Sequence, residues 1–423
     1  GRGSVLAAMA LAVAPIALPN SPAEAAVVDP LHLVFNGQVN GALQMVGNGV
    51  LGCPAAAGTP RTECLAASQR QNTFNNNRFA MEYVDVDDDP ATYDSSSGQV
   101  TIPAGARIAY ARLQWGGNRD GNQCNIGSPA TYPSGSSQTQ AVRLRIGTDA
   151  PIDVAPQSWN GDAGSVATTP QTRRDRRLRR DGVGVAGDDH RRERLRADRP
   201  GLPRRWSLIL VHTTDSVPCG AERREIFVYD GHVRQQSSDP PTSVVVSGFK
   251  VNGAPGRVGI TAYEGDNGQT GDQFRVNGIN IAEPVTGATN NFFASTAQNQ
   301  LNPAYPNNFS VDAKRFDLPP GTVPIGATSA TLTTATSGDA YVVQSLTASI
   351  PVPALCMTKT VSPTVAHPGD LLTWTINVRN PSDADVLDVA VEDPGVPACA
   401  RNLATLAAGG STTYTCTSIA DAT

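Results

Sequence analysis

A dozen short apolar runs, each closed by a turn, set the limits on what this chain can become. "HLVFNGQV", "FAMEYVDVD", "GQVTI", "ARIAYARLQW", "AVRLRIG", "WSLILVHTT", "EIFVYDG", "TSVVVSGF", "GRVGITAYEG", "QFRVNGINIA", "ATSATLTTAT" and "AYVVQSLTASI" are rich in β-branched residues and separated by Gly, Asn, Asp and Pro. Strands of this length between turn residues make a sandwich or barrel. No stretch sustains the 3.6-residue apolar period of an amphipathic helix. With 40 Gly, 32 Pro and 17% charged residues, the composition suits strands and loops. The expected fold class is all-β, and 423 residues allow two or three domains.

The pattern changes after a stiff stretch, "SIPVPALCM", which predicts a linker at 351–357 between a β-rich N-terminal domain at 27–350 and a second unit at 358–423. In "LLTWTINVRN", Leu372, Trp374, Ile376 and Val378 alternate with Thr373, Thr375, Asn377 and Arg379. "DVLDVAVEDP" and "STTYTCT" supply further strands of an immunoglobulin-like sandwich. Its 66 residues fall short of the roughly 100 usual for that fold, so the expectation is a partial repeat. The expected architecture is a large β-sandwich-like domain followed by a partial immunoglobulin-like β-sandwich.

At the other end, the apolar run Val5–Leu18, the single early charge Arg2 and the small-residue site Ala23-Glu24-Ala25 predict a secretory signal peptide over 1–25, lacking its initiating Met. Later segments are too short and polar to span a bilayer. An exported chain meets an oxidising compartment. Of seven cysteines, Cys53 with Cys64 and Cys399 with Cys416 bracket short loops and are expected to pair; Cys124, Cys219 and Cys356 are left, and three cannot pair off.

One segment departs from everything around it. Between Arg173 and Arg205 stand 13 Arg, no Lys, five Asp and one Glu. That is +7 in a chain whose total is −5, leaving −12 for the rest. Three readings compete for 172–205: a basic arm for phosphate or nucleic acid, a solvated disordered loop, and a frameshift in a GC-rich gene, where Ala and Gly codons turn into Arg codons. The frameshift is favoured, since it accounts for Arg without Lys. Reading "DDHRRERLRADRPGLPR" one nucleotide later allows "TTTVANVSARTGQGYRG", a β-type segment. No nucleic-acid partner is therefore expected. The segment as written is expected to be irregular, with the strand before Trp206 missing from its sheet.

Two acidic loops are candidates for Ca²⁺, which takes carboxylate and carbonyl oxygens. "DVDDDPATYDSSSG" offers Asp85, Asp87 and Asp89, beside Asp88 and Asp94, but Pro90 and Ser96 stand where an EF-hand loop needs Gly and Glu. "YEGDNGQTGD" offers Glu264, Asp266 and Asp272. For both, a solvated turn is the competing reading. No other cofactor is implied. Enzyme signatures are missing: there is no G-x-S-x-G, H-E-x-x-H or Walker motif. The five histidines, His32, His190, His212, His232 and His367, are scattered. Trp115, Trp159, Trp206, Trp374, Tyr263 and the Phe292-Phe293 pair read as core.

Thr358–Thr417, through "TKTVSPTVAHPGDLLTWTINVRNPSDADVLDVAVEDP" and "LAAGGSTTYTCT", resembles the repeat called domain of unknown function eleven. "GNGVLGCP", "YVDVDDDPATYDSSSGQVTIPAGARIAYARLQWGG", "WSLILVH", "VYDG", "AYEGD", "TGDQFRVNG" and "NNFFAS" resemble the domain that precedes such repeats in secreted proteins of high-GC Gram-positive bacteria. The resemblance implies an extracellular or cell-surface location and a structural or adhesive role. Its partners would be cell-envelope components or an extracellular ligand. A calcium-assisted carbohydrate-binding module is the alternative, and a secreted hydrolase with an unrecognised site the third reading.

Overall fold

A computed structural model describes residues 26–421, apart from 88, 90–91, 93, 119–140, 159, 162–165, 173–190, 199–204, 216–217 and 310. The expected signal peptide, Asp88, Cys124, Trp159, His190 and most of the arginine-rich stretch thus lie outside the described residues. The fold is all-β: strands make up 51% of the chain, with antiparallel sheets throughout.

The body is a stack of four sheets. One five-stranded sheet runs in the order Ala26–Val39, Arg223–Gln235, Tyr341–Val352, Arg257–Tyr263, Val311–Asp317. On one side it packs against a four-stranded sheet of Thr242–Ser247, Ser329–Ala335, Gln273–Val276 and Ile279–Ile281, through Phe227, Val258, Ile260, Phe274, Leu332 and Val343. On the other side Ile226 and Val228 meet Leu43, Met45, Ile209 and Val211 of a second five-stranded sheet, built around Gly41–Gly49, Arg205–Thr213 and Arg107–Asn118. The far face of that sheet carries Leu113, Trp115, Trp206 and Leu208 onto Val100, Val142 and Leu144 of a third five-stranded sheet.

Two sheets are therefore covered on both faces. This explains why Arg205–Thr213 and Tyr341–Val352 are buried along their whole length: a strand inside a stack has no solvent side on which polar residues would alternate. Several polar side chains that fall between the inner sheets are paired there. Arg112 bonds Asp230 in a bidentate contact (Nε to Oδ1, 2.7 Å), Gln114 donates to the same carboxylate at 2.5 Å, and Gln344 meets His232 Nδ1 at 3.2 Å.

For the described part of 172–205, the expectation of an irregular arginine stretch needs correction. Arg191–Asp198 is a strand, paired antiparallel with Ser95–Ile102 and, over its last four residues, with Val142–Ile146. Nor does Arg205–Thr213 lack a neighbour, since it pairs with Gly41–Gly49 and Arg107–Asn118. Backbone groups must be satisfied whatever side chains they carry, so an arginine-rich segment closes the gap between two strand edges.

Three other features depart from the sequence reading. Thr59–Ser68 is a ten-residue helix, short and weakly amphipathic, with Pro60 in its first turn. Gly41–Gly49 and Val311–Asp317 are strands that the apolar runs did not mark. The linker shrinks, because one strand continues to Val352 and the next begins at Cys356.

The C-terminal unit is a small sandwich. Cys356–Ser362, Leu371–Arg379 and Ser411–Ile419 form one sheet, and Val386–Val391 with Arg401–Leu406 the other. Ile376, Val378, Val389, Val391, Leu406 and Tyr414 fill the space between them. Cys399–Cys416 crosses it, and Tyr414 donates its hydroxyl proton to the Cys399 carbonyl at 2.8 Å. Cys53 bonds Cys64. Cys219 bonds Cys356, a pair that spacing alone did not suggest, since 137 positions separate them.

Candidate functional site: a carboxylate cluster at one end of the body

The loops after Arg257–Tyr263, after Ile279–Ile281 and between Ser329–Ala335 and Tyr341–Val352 converge at one end of the body. They bring Glu264, Asp266, Asp272, Asn291 and Asp339 together. Two glycines make the approach possible. A Cβ on Gly265 would stand 2.3 Å from the Phe293 carbonyl oxygen and 2.6 Å from Asp312 Oδ2. Gly271, at φ +120°, lies against Gly338.

The cluster is roofed by the segment that follows the helix. Cys53–Cys64 anchors that helix, and the chain beyond it reaches over the loops. Asn75 donates to Asp266 Oδ2 at 2.7 Å, Arg70 to Asn267 Oδ1 at 2.7 Å, and Asn267 to the Asn72 carbonyl at 3.0 Å.

Asp266, Asp272 and Asp339 are 5%, 0% and 6% exposed. Asp339 accepts from the backbone N–H groups of Ala340 (2.7 Å) and Asp266 (3.2 Å). Asp272 Oδ2 accepts from Phe293 N–H at 2.5 Å. Asp266 Oδ1, Asp272 Oδ1 and Asn291 Oδ1 are buried without a hydrogen-bond donor. Burial pushes the Asp266 carboxyl up to about 8, reinforced by Glu264 and Asp339. Burial likewise lifts Asp339 to about 7, with Asp272 and Glu264 adding to the effect, and Asp272 to about 6 against the pull of the Phe293 N–H.

Behind Asp272 lies a second polar centre. Lys314 is wholly buried, with Nζ 3.1 Å from Glu283 Oε1, 2.8 Å from Asp312 Oδ1 and 2.8 Å from Thr296 Oγ1. Its ammonium also faces the Phe292 ring at 4.5 Å. Glu283 is held down to about 2: Lys314 and hydrogen bonds from Thr296 and Thr286 outweigh the upward push of burial. This centre is internally satisfied and ties the loop at Glu283 to the Val311–Asp317 strand.

The two acidic loops of the sequence thus part company. Asp85, Asp87 and Asp89 form a turn tied to its own backbone, to Ser95 and to Arg143. Asp85 accepts from Ser95 Oγ at 2.8 Å, Asp87 from Asp89 N–H at 3.4 Å, and Asp89 pairs with Arg143 at 3.1 Å. Glu264, Asp266 and Asp272 do come together, and Arg205 reaches Glu264 at 3.4 Å. Asp339, Asn291 and Asn75 complete the group and were not foreseen. Their only signal is a lone Asp or Asn in a turn, which solvated turns also carry. Among the described residues, no group of three or more His, Cys, Asp or Glu side chains is placed to hold a metal ion by itself.

Trp115, Trp206, Tyr263, Phe292 and Phe293 are all buried, so these rings pack the interior and offer no flat surface to a sugar. His212 and His232 are buried in the body, on the strands Arg205–Thr213 and Arg223–Gln235. No helix among the described residues is long and apolar enough to cross a membrane. Comparison with protein-family profiles and with curated proteins finds no match for this chain.

Proposed function

We propose that this chain is a non-enzymatic secreted or cell-surface protein with a structural or adhesive role, in which the C-terminal sandwich serves as a spacer for the larger body. The observation that carries this reading is the seam between the two units. Cys219–Cys356 bonds the body covalently to the first residue of the small sandwich's leading strand. Beside it Lys250 donates to the Asp385 carbonyl at 2.8 Å, and Asp383 N–H donates to Asn252 Oδ1 at 3.0 Å. A spacer that presents a body must hold it at a fixed angle, and a covalent bond with flanking hydrogen bonds does so. Three disulfides among the described residues suit an oxidising compartment. The resemblance of Thr358–Thr417 to domain of unknown function eleven supports the same reading. Binding would act through body loops, with avidity from many copies on one surface.

The test is expression of the whole gene in a high-GC Gram-positive host, followed by protease treatment of intact cells and thiol labelling of the released protein. Surface release with Cys219 and Cys356 oxidised is the expected result. Retention in the cytoplasm with both thiols free would sink the proposal. Turnover of any glycan or ester in a broad panel would replace it with a hydrolase.

A further inference from the structure

The charges around the end cluster do not balance. Glu264, Asp266, Asp272, Glu283, Asp312 and Asp339 influence one another there, against Arg70, Arg205 and Lys314. Were all six carboxylates ionised, they would outnumber the three cations by three charges. Two of the cations are already engaged: Lys314 by Glu283 and Asp312, and Arg205 by Glu264. Arg70 is taken up by the Pro306 and Ala294 carbonyls and by Asn267, so among the described residues Asp266, Asp272 and Asp339 are buried without an ion pair. A buried carboxylate without compensation is strongly unfavourable, so either a proton or a cation must neutralise them.

Each of the three accepts a hydrogen bond from a fixed N–H group: Asn75 to Asp266, Phe293 to Asp272, Ala340 and Asp266 to Asp339. Such donors favour the charged form. Asn291 adds an independent observation. It is 8% exposed, bridges to Asp272 along the backbone and donates its Nδ2 to the Asp266 carbonyl at 3.4 Å, yet its own amide oxygen has no donor. With the carboxylates ionised, this unsatisfied amide oxygen and the unsatisfied carboxylate oxygens form a set of acceptors only. A cation meets that need.

We propose that the cluster formed by Asp266, Asp339, Asp272 and Asn291 is a calcium site that locks the three loops and their roof. The donors are all oxygen, which selects a hard cation, and the mixture of carboxylate, amide and main-chain oxygens in loops suits Ca²⁺ better than the rigid octahedron of Mg²⁺. Among the described residues no three carboxylates are placed to ligate together, so the ion would rest on fewer of them, with Asn291 Oδ1 the unsatisfied amide oxygen able to join. The other groups facing the site are Arg70 and Asn75 from the roof, Arg205 and Glu264 at its edge, Tyr341 at the start of its strand, and Asp312 with Lys314 behind. The site is independent of the proposed surface role, since an enzyme or a cytoplasmic protein would need the same neutralisation.

The experiment is thermal unfolding of the purified full chain at neutral pH in EDTA, in millimolar Mg²⁺ and in millimolar Ca²⁺, with calorimetric titration of Ca²⁺ alone. Ca²⁺ is expected to raise the midpoint by several degrees and Mg²⁺ by much less, since a ligand bound only to the folded state stabilises it. Asp266→Asn and Asp339→Asn keep the shape and remove a charge. They are expected to fold, to be less destabilised by EDTA than the wild type, and to lose the Ca²⁺-dependent rise. Asp87→Asn is expected to keep it. Equal wild-type midpoints in Ca²⁺ and EDTA, no heat on titration, or a rise that survives both substitutions would each overturn the proposal. Stabilisation by mild acid without any response to Ca²⁺ would show that protons neutralise the cluster, and would overturn it too. Should both variants fail to fold, the wild-type titration decides by itself.

Discussion

In the body, the central strands of two sheets lie between other sheets; in the C-terminal sandwich none does. Tyr341–Val352 is buried at every position, whereas Cys356–Ser362, a few residues on, exposes five of its seven. The same chain thus uses two means of holding sheets together. The body buries enough apolar surface to accommodate ion pairs at its centre, Arg112–Asp230 between the inner sheets and Lys314 with Glu283 and Asp312 near one end. The small sandwich has a thin core, as expected where surface outweighs volume, and relies on Cys399–Cys416 and the Tyr414 hydrogen bond. In the body, loss of polar compensation should be the weak point; in the small sandwich, loss of the covalent link.

The largest expected effect tests which unit Cys219–Cys356 serves. The bond closes a ring over 137 positions, most of them in the body. Replacing both cysteines with serine should lower body stability by about 5 kcal/mol on a chain-entropy estimate, with little change in the small sandwich. Denaturant unfolding followed by tryptophan fluorescence in a Trp374→Phe background reports the body alone. An equal loss in both units would break the comparison.

Next comes Lys314→Met. It leaves Glu283 and Asp312 buried without their cation and should destabilise the body by about 3–5 kcal/mol. An unchanged denaturation midpoint would mean that the network is dispensable. Cys399→Ser with Cys416→Ser should cost the small sandwich about 3 kcal/mol for a separation of 17. The Trp374 signal should shift while the body transition stays in place.

The smallest effect concerns pH. Burial raises Asp230 to about 6 despite Arg112, so the folded body binds its proton more tightly than the unfolded chain. Stability from this group is present in acid and lost as pH rises through about 6. Going from about pH 7 to about pH 5 should therefore strengthen the body by about 1 kcal/mol through Asp230, read as the difference between wild type and Asp230→Asn so that the raised carboxyls of the end cluster cancel. Asp393 in the small sandwich is shifted the other way by the hydrogen bond from Lys359, so its contribution is lost only in stronger acid. Two-wavelength melts across this range should show the transitions moving apart; parallel movement would remove the contrast.

The all-β class and most strands were legible because β-branched runs between turn residues have few other uses. The alternation in Leu371–Arg379 places Ile376 and Val378 in the core, 1% and 3% exposed. The four-layer stack was not legible, since a run such as "WSLILVHTT" is compatible with one buried face or two. The Thr59–Ser68 helix escaped because it rests on a disulfide and Pro60, with little apolar stripe to betray it. Of the end cluster, "YEGDNGQTGD" could be singled out by local density, but Asp339 and Asn291 come from turns far along the chain and only the sheet order brings them in. The strand at Arg191–Asp198 was missed because composition was weighed and backbone pairing was not.

Cys219–Cys356 also decides how the molecule responds to being pulled. Along the covalent chain, tension between the N-terminal part and the small sandwich passes from Cys219 across the sulfur bridge to Cys356 and bypasses the stretch between them. That bypassed stretch includes Arg223–Gln235, Tyr341–Val352, the Lys314 centre and the end cluster. A pull on the two ends would thus reach the bypassed stretch through non-covalent contacts such as the hydrogen-bonded edge between Ala26–Val39 and Arg223–Gln235, never through its own backbone.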